Sequence, residues 1–281
     1  MDRLSVRWEG CLFFNFLTRA CKRCLWIGVL LFSGGAVAGD TYVYIAGDPW
    51  PPYFVSSDGM YIDGGAAYAV TKEIFQRVEG LQPVFPVVPW KRALQAMKTG
   101  SKDAIPFLFK TRDRERTMLF SIPVAQSQTL FFFSRQRFPE GFSWSSESDL
   151  KGLRLGIVAG FSYGAFLDGL IADNKTARFV EVNSSALGFK MLAKGRIDLM
   201  PESVPVGKEI IREQGWLDQA GWAAHVVNSD VHYLAISKKS PVRRYLKQIN
   251  DAILDATHDG TIDQLLAPVG ASAMPYRKRD D

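Results

Sequence analysis

The chain predicts an α/β protein built from two similar lobes, and three observations carry that expectation. Short apolar runs alternate with helical periodicities along the 281 residues, as in parallel strands with helices packed on their faces. One helix-turn-strand unit recurs with a shift of 95 residues. Hydrophobic residues make up 47% and charged residues 22%, a balance that supports a large core and excludes a disordered or low-complexity chain.

The elements follow in order. A first strand over 42–45 stops at Gly47-Asp48-Pro49-Trp50-Pro51-Pro52-Tyr53, where the prolines forbid continuation. Val70, Ile74 and Val78 mark a helix face that Gly80 closes. A second strand is expected over 84–88 and a helix over 91–98, ended by Gly100. Asp103-Ala-Ile-Pro106 opens a third strand, which Pro106 should stop. Strands over 153–158 and 179–182 then alternate with helices over 165–172 and 186–194. Val242, Leu246, Ile249 and Ile253 share one face of a last helix.

The recurring unit is Met97-Lys-Thr-Gly100-Ser-Lys-Asp103-Ala-Ile-Pro106, echoed by Leu192-Ala-Lys-Gly195-Arg-Ile-Asp198-Leu-Met-Pro201. Each copy ends a helix with Gly, turns through Asp and enters a short strand, so two equivalent lobes are the economical reading. Ligands of such sheets sit beyond the carboxyl ends of the strands. Residues just after Pro106 and Pro201 should therefore line a cleft between the lobes.

The net charge of +5 is unevenly placed: residues 1–38 carry +3 of it. The remaining +2 gives no charge signature for nucleic acid. Lys22 and Arg23 precede the nine-residue apolar run 24–32, and Ala36-Val37-Ala38 follows, which is the layout of a secretory signal peptide over 1–38. The run is too short to span a bilayer, which needs about 20 residues. The exported chain should begin near Gly39 as a soluble protein. Cys11, Cys21 and Cys24 all precede that point, which leaves no thiol for a disulfide, a thiolate metal site or a nucleophile.

Gly160-Phe161-Ser162-Tyr163-Gly164 fits the nucleophile elbow of serine hydrolases, with Asp198 or Asp230 and His232 or His258 following in order. The same five residues also describe a loop that captures an anion at a helix N-terminus. His225 forms no metal-ligand spacing with the other histidines, so neither a metal nor another cofactor is expected. Lys110-Thr-Arg-Asp-Arg-Glu-Arg116 reads as a solvated charged turn with room for one arginine to point inward, where its planar fork suits a carboxylate. Trp50, Tyr53, Trp90, Phe107, Phe109, Phe161 and Tyr163 fall at or just past strand ends. Singly each reads as core packing; together they suggest a pocket with flat apolar walls. Glu202 and Ser203, after the second Pro, are either a solvated loop end or acceptors for a ligand ammonium.

In this order Trp50-Pro-Pro-Tyr53, Pro89-Trp-Lys-Arg92, Gly100-x-x-Asp103, Thr111-x-x-Arg114 with Phe120-Ser121, Asp149-Leu-Lys-Gly152, Gly195-Arg-Ile-Asp198 and Asp259-Gly260-Thr261 accompany the signal peptide. On these residues the chain resembles the extracellular solute-binding proteins of family 3, the polar-amino-acid-binding components of ABC importers. The resemblance implies the type II periplasmic-binding-protein fold, α/β with two lobes, each a mixed sheet flanked by helices, joined by hinge strands near 129–134 and 231–237. Lobe one would comprise 39–131 and 235–281, and lobe two 132–234. It implies that Arg114 grips a ligand α-carboxylate, that backbone and hydroxyl donors at Phe161 and Ser162 assist, and that Trp50 packs on the ligand. Three positions depart from the family pattern. Phe107 and Phe109 replace small hydroxyl residues, Ser203 stands in place of the aspartate that anchors the ammonium, with Glu202 beside it, and Ile62-Asp63-Gly64-Gly65-Ala66 replaces Gly-Phe-Asp-x-Asp. The expected protein is a periplasmic monomer that binds a small carboxylated solute without chemistry or cofactor. Its expected partner is a membrane ABC permease or a sensor domain, with no role for nucleic acid. The competing readings are a lyase on the same fold or a serine esterase using Ser162.

Overall fold

A computed structural model describes residues 40–276; the expected signal peptide and all three cysteines lie outside them. Strand β1 (Thr41–Tyr44) leads through a loop to helix α1 (Ala66–Gln76) and then to β2 (Leu81–Val84), which pairs parallel with β1. Helix α2 (Trp90–Thr99) and strand β3 (Ala104–Leu108) follow, and an Ile45–Ala104 bridge ties β3 to the end of β1. The single turn α3 (Arg112–Glu115) precedes the long strand β4 (Met118–Ser134). Then come β5 (Arg154–Val158), α4 (Ala165–Asp173), β6 (Arg178–Val182), α5 (Ser185–Ala193), β7 (Leu199–Ser203) and α6 (Val204–Glu213). A second long strand, β8 (Ala220–Ser237), leads to α7 (Leu246–His258), α8 (Thr261–Leu266) and the short β9 (Ser272–Ala273).

The architecture is two-lobed because β4 and β8 are 17 and 18 residues long, about three times a usual strand. They pair antiparallel from Met118–Ser237 to Ser134–Ala220. At one end β3 flanks β8 and β9 flanks β4; at the other, β7, β5 and β6 extend the sheet from β4. On β4 the change of partner falls between Gln126, paired to β9, and Thr129, paired to β7. That lies just ahead of the 129–134 stretch expected as the first hinge; Pro123, where the pairing with β8 shifts register, stands before the change of partner and does not mark it.

Each lobe's core follows from side-chain period. Helix α1 buries Ala67, Val70, Thr71, Ile74 and Phe75, the stripe of an amphipathic helix, and packs against α7 and α8. In the other lobe Phe131, Phe132 and Phe133 alternate across the sheet. Phe131 and Phe133 join Trp144, Leu150 and Leu155 on one face, while Phe132 meets Phe189 and Met200 on the other. Gly207 of α6 lies against the Phe132 ring, where a β-carbon would come within 2.2 Å, so only glycine fits.

Both copies of the repeated unit have the same skeleton. Gly100 and Gly195 adopt positive φ where their helices end. Asp103 accepts the Tyr44 N–H of β1 at 2.8 Å, and Asp198 accepts the Arg154 N–H of β5 at 2.8 Å. The repeat therefore ties each turn to the neighbouring parallel strand. Two expectations are corrected. Pro106 and Pro201 do not end their strands, which continue to Leu108 and Ser203. Pro106 sits in a break of register between β3 and β8, and β5 meets β7 at Leu199 alone, so neither missing donor breaks a ladder. The expected strand over 84–88 is instead β2, ending at Val84; Pro86 interrupts it, and Val87 makes only an isolated bridge to Gly47.

Candidate functional site

The loops after β1, β3 and β5 and the end of β7 converge with the middle of β4 and β8 on one cavity of about 90 Å³. It is lined by every residue the sequence singled out for ligand contact: Trp50, Phe107, Phe109, Arg114, Phe161, Ser162, Glu202 and Ser203. Trp90 and Tyr163 line it too, whereas Tyr53 lies fully buried behind Trp50, with ring centroids 4.8 Å apart.

Arg114 is the inward arginine of its turn. Thr111 caps α3 by accepting the Arg114 N–H, Arg112 and Arg116 are exposed, and Arg114 is buried. Its Nη1 donates to the Phe109 carbonyl at 2.6 Å and its Nη2 to the Gly160 carbonyl at 3.1 Å. The guanidinium carbon lies 5.5 Å from the centre of the Trp90 ring. Burial lowers its pKa to about 10, against the pull of Asp168 and Asp113, so it stays charged at neutral pH. Two carbonyl contacts use two of its five N–H groups, leaving a fork for an anion. Trp90 Nε1 donates to the same Gly160 oxygen at 3.0 Å, and Lys91 pairs with Glu181 at 2.7 Å. These contacts join α2 and α3 to the loop after β5 and to β6, so the lobes are closed over the cavity.

Phe107 holds φ at +55°, a backbone state costing a non-glycine residue roughly 1–3 kcal/mol. The break in register there lets its ring stack on His232, with centroids 5.4 Å apart. The loop after β5 uses Gly160 and Gly164 at φ +80° and +87° to turn into α4. This explains the two glycines of the hydrolase-like motif without catalysis.

Two donors of that loop already have partners within the protein. The Phe161 N–H donates to the Val158 carbonyl at 3.0 Å, and Ser162 Oγ donates to Asp168 at 2.6 Å. Asp168 also accepts the Tyr163 N–H at 2.8 Å, so α4 supplies its own anion in its first turn. Ser162 is therefore not paired with a histidine base: His232 Nε2 lies 2.9 Å from Ser127 Oγ instead.

The same cavity is lined by carboxylates that form no ion pair among the described residues. Glu202 accepts the Ser185 hydroxyl and, at 2.8 Å, the Ser203 N–H; burial pushes its pKa up to about 7. Asp230 accepts Thr129 Oγ1 at 2.6 Å and Asn228 Nδ2 at 2.8 Å, and burial raises it to about 6. Burial drops His232 to about 4, leaving its ring neutral. Burial also raises Asp48, which accepts the Trp90 N–H at 3.3 Å at the start of α2. The Tyr53 hydroxyl, pushed by burial to about 12, faces Ser203 and Ser127 without closing a hydrogen bond to either. Sequence reasoning missed Thr129, Ser185 and Asp48, and met Asp230 and His232 only as partners for Ser162. The available signal was Asp230-Val-His232, two titratable side chains on one face of an apolar strand. Among the described residues no three His, Cys, Asp or Glu side chains stand together to hold a metal, and no helix is long and apolar enough to cross a membrane.

Comparisons bear on the whole of this fold. The sequence pattern of the bacterial extracellular solute-binding proteins, family 3, matches residues 43–268. No curated protein matches the chain by sequence. Among solved structures, a histidine kinase sensor domain with similarity to periplasmic binding proteins superposes with a TM-score of 0.71 at 19% identity, over 84% of this chain and 99% of its own. An amino acid ABC transporter substrate-binding protein from Streptococcus pneumoniae, bound to L-arginine, gives 0.66 at 16% identity over 81% and 94%. The ligand-binding core of GluR0 from Nostoc punctiforme, in complex with L-glutamate, gives 0.64 at 18% over 82% and 98%.

Proposed function

Because the chain belongs to the bacterial extracellular solute-binding proteins of family 3, we propose that it captures a small carboxylated solute, an amino acid or a related compound, between its lobes. It works in the periplasm as a monomer and presents the closed form to a membrane permease of the ABC type or to a sensor domain. The ligand shifts the open–closed equilibrium through its preference for the closed state and leaves unchanged.

The observation that carries this reading is Arg114, the one cationic side chain among the residues lining the cavity. It is buried, held by two carbonyls and backed by Trp90, so its fork is oriented before a ligand arrives. Mass spectrometry of the compound that co-purifies with the protein identifies the ligand. Its calorimetric titration into Arg114→Ala should then show at least about a tenfold loss of affinity. Arg112→Ala and Arg116→Ala should bind as the wild type does. Normal affinity in Arg114→Ala, or conversion of the ligand to product, overturns the reading.

A further inference from the structure

We infer that the lobe carrying β1 and β3 docks, by its pole opposite the cavity, on the headgroups of an anionic phospholipid bilayer. The inference goes beyond solute capture and holds whatever the cavity binds.

Strands β1 and β3 run parallel towards the cavity, which Gly47 and Leu108 line at their far ends. At about 3.3 Å per residue, Thr41 lies roughly 20 Å from Gly47, at the other end of the lobe. Three turns meet there. Gly100 packs so close to Lys239 that a β-carbon on it would come within 2.7 Å of the Lys239 Cβ. Asp103 accepts the Tyr44 N–H at 2.8 Å and the Ser240 hydroxyl at 2.6 Å, which joins β1 to the turn after β8. Arg243 Nη1 donates to the Lys238 carbonyl at 2.6 Å, and Lys238 Nζ to the Glu115 carbonyl at 2.6 Å.

This end gathers Lys98, Lys102, Lys238, Lys239, Arg243 and Arg244, and among the described residues none of them forms an ion pair. The acids within reach are already engaged. Asp103 holds the two bonds above, Glu115 pairs with Lys110 at 3.0 Å and Asp251 with Lys247 at 2.7 Å. Asp40 and Glu79 stand beside the β1–β2 pair, across the sheet from the turn after β8. From 231 to 250 the chain has five basic residues and no acid, whereas residues 39–281 as a whole carry only +2. The positive charge is therefore segregated to one pole. Anionic lipid attracts each Lys or Arg near its surface by a modest, salt-screened amount, so several together give a reversible contact.

Two further observations favour a bilayer over another polyanion. Tyr42 and Tyr44 share one face of β1 and are 63% and 46% exposed, and the Lys102 ammonium lies 5.0 Å from the centre of the Tyr44 ring. A tyrosine, apolar along its ring and polar at its tip, suits the headgroup layer. The chain also enters the fold here. Phe32, the last residue of the apolar run, is nine residues before Thr41, a reach of at most about 32 Å. While that run lies in the bilayer during export, this pole is the part of the fold held nearest the surface. Contact at this pole leaves the cavity and the other lobe clear of the membrane.

Co-sedimentation with vesicles tests this, using the exported protein after signal removal. Vesicles of phosphatidylcholine with about one third phosphatidylglycerol should bind it, and pure phosphatidylcholine should not. Raising the salt from about 0.05 M to about 0.5 M should release it. Lys102→Gln, Lys239→Gln and Arg244→Gln combined should weaken vesicle binding at least about tenfold. Tyr42→Ser with Tyr44→Ser should weaken it about threefold. Lys190→Gln, Lys194→Gln and Arg196→Gln combined remove three exposed cations beside the equivalent turn of the other repeat, and should change binding less than about twofold. Far-UV circular dichroism verifies the fold of every variant. Absence of wild-type binding to the anionic vesicles, or equal losses in the two triple variants, overturns the inference. Heparin binding as tight as vesicle binding, with no loss on vesicles in the tyrosine variant, also overturns it and assigns the pole to a soluble polyanion.

Discussion

The two copies of the repeated unit share a skeleton and differ in the residues that come after it. Past Gly100, Asp103 and Pro106 the chain runs through Phe107 and Phe109 towards Arg114; past Gly195, Asp198 and Pro201 it runs into Glu202 and Ser203. One copy presents apolar rings and leads to a buried cation, the other a buried acid and an unpartnered hydroxyl. The parts that hold the turn in place are duplicated, and the parts that face the cavity have diverged. A ligand lying between them meets two chemically opposed walls, which fixes its orientation as well as its location.

The largest expected effect breaks the first wall. Arg114→Ala should cost roughly 2–5 kcal/mol of binding, because the ligand carboxylate stays buried without its partner. Arg114→Lys should fail as well, since a point charge cannot give two parallel donors. Both variants should keep the unliganded fold, which circular dichroism checks.

The second wall responds to pH. The folded-state pKa of Glu202, about 7, lies above its ordinary value of 4.5, so the folded protein holds this proton more tightly than the unfolded chain. The carboxyl therefore favours folding most at low pH, and that contribution is lost as pH rises through the window from 4.5 to about 7. Glu202→Gln should stabilise the unliganded protein by about 3 kcal/mol at pH 8 and by less than about 1 kcal/mol at pH 5. Denaturant unfolding at the two pH values measures this; an equal gain at both would mean that Glu202 is not buried as a lone acid.

A smaller effect tests the shared skeleton. Asp198→Ala should cost about 1.5–3 kcal/mol, since it loses charge-assisted bonds to Arg154 side chain and backbone. Asp103→Ala loses the Tyr44 N–H and the Ser240 hydroxyl and should fall in the same range. Although burial works the other way, the Arg154 bonds hold the Asp198 carboxyl below its usual range. Its contribution is therefore present at neutral pH and lost as pH falls through that depressed value. A loss at only one of the two positions in thermal melts would separate the copies.

The smallest change falls at Ser162. Its hydroxyl serves Asp168, so Ser162→Ala should lower stability by roughly 0.5–1.5 kcal/mol and leave ligand affinity unaltered. A loss of affinity in calorimetry would return Ser162 to the ligand.

Where side-chain period and punctuation decide the structure, the sequence was readable. The stripe of α1 and the helix ends at Gly100 and Gly195 were legible, and the 110–116 turn left room for one inward arginine, which the family resemblance placed at 114. Legibility failed where long-range pairing decides. Nothing local to Pro106 or Pro201 says that one neighbouring strand is missing there, and within 118–134 the one proline, Pro123, marks a shift of register and not the crossing between lobes. The site divides in the same way. Residues next to a turn, such as Trp50 and Phe161, betray themselves by position. Asp230 and Thr129 lie inside long strands, and only the register that places Thr129 opposite Asn228 reveals their bond.

One carbonyl oxygen, that of Gly160, receives both Trp90 Nε1 and Arg114 Nη2 from the facing lobe. Every amino acid at position 160 would bring a carbonyl oxygen, so no side-chain replacement there deletes the acceptor outright. Inheritance of this clasp is therefore one-sided. Sequence drift on the accepting lobe can shift the oxygen but not erase it, whereas a single codon change at 90 or 114 removes one of its two donors and spares the other.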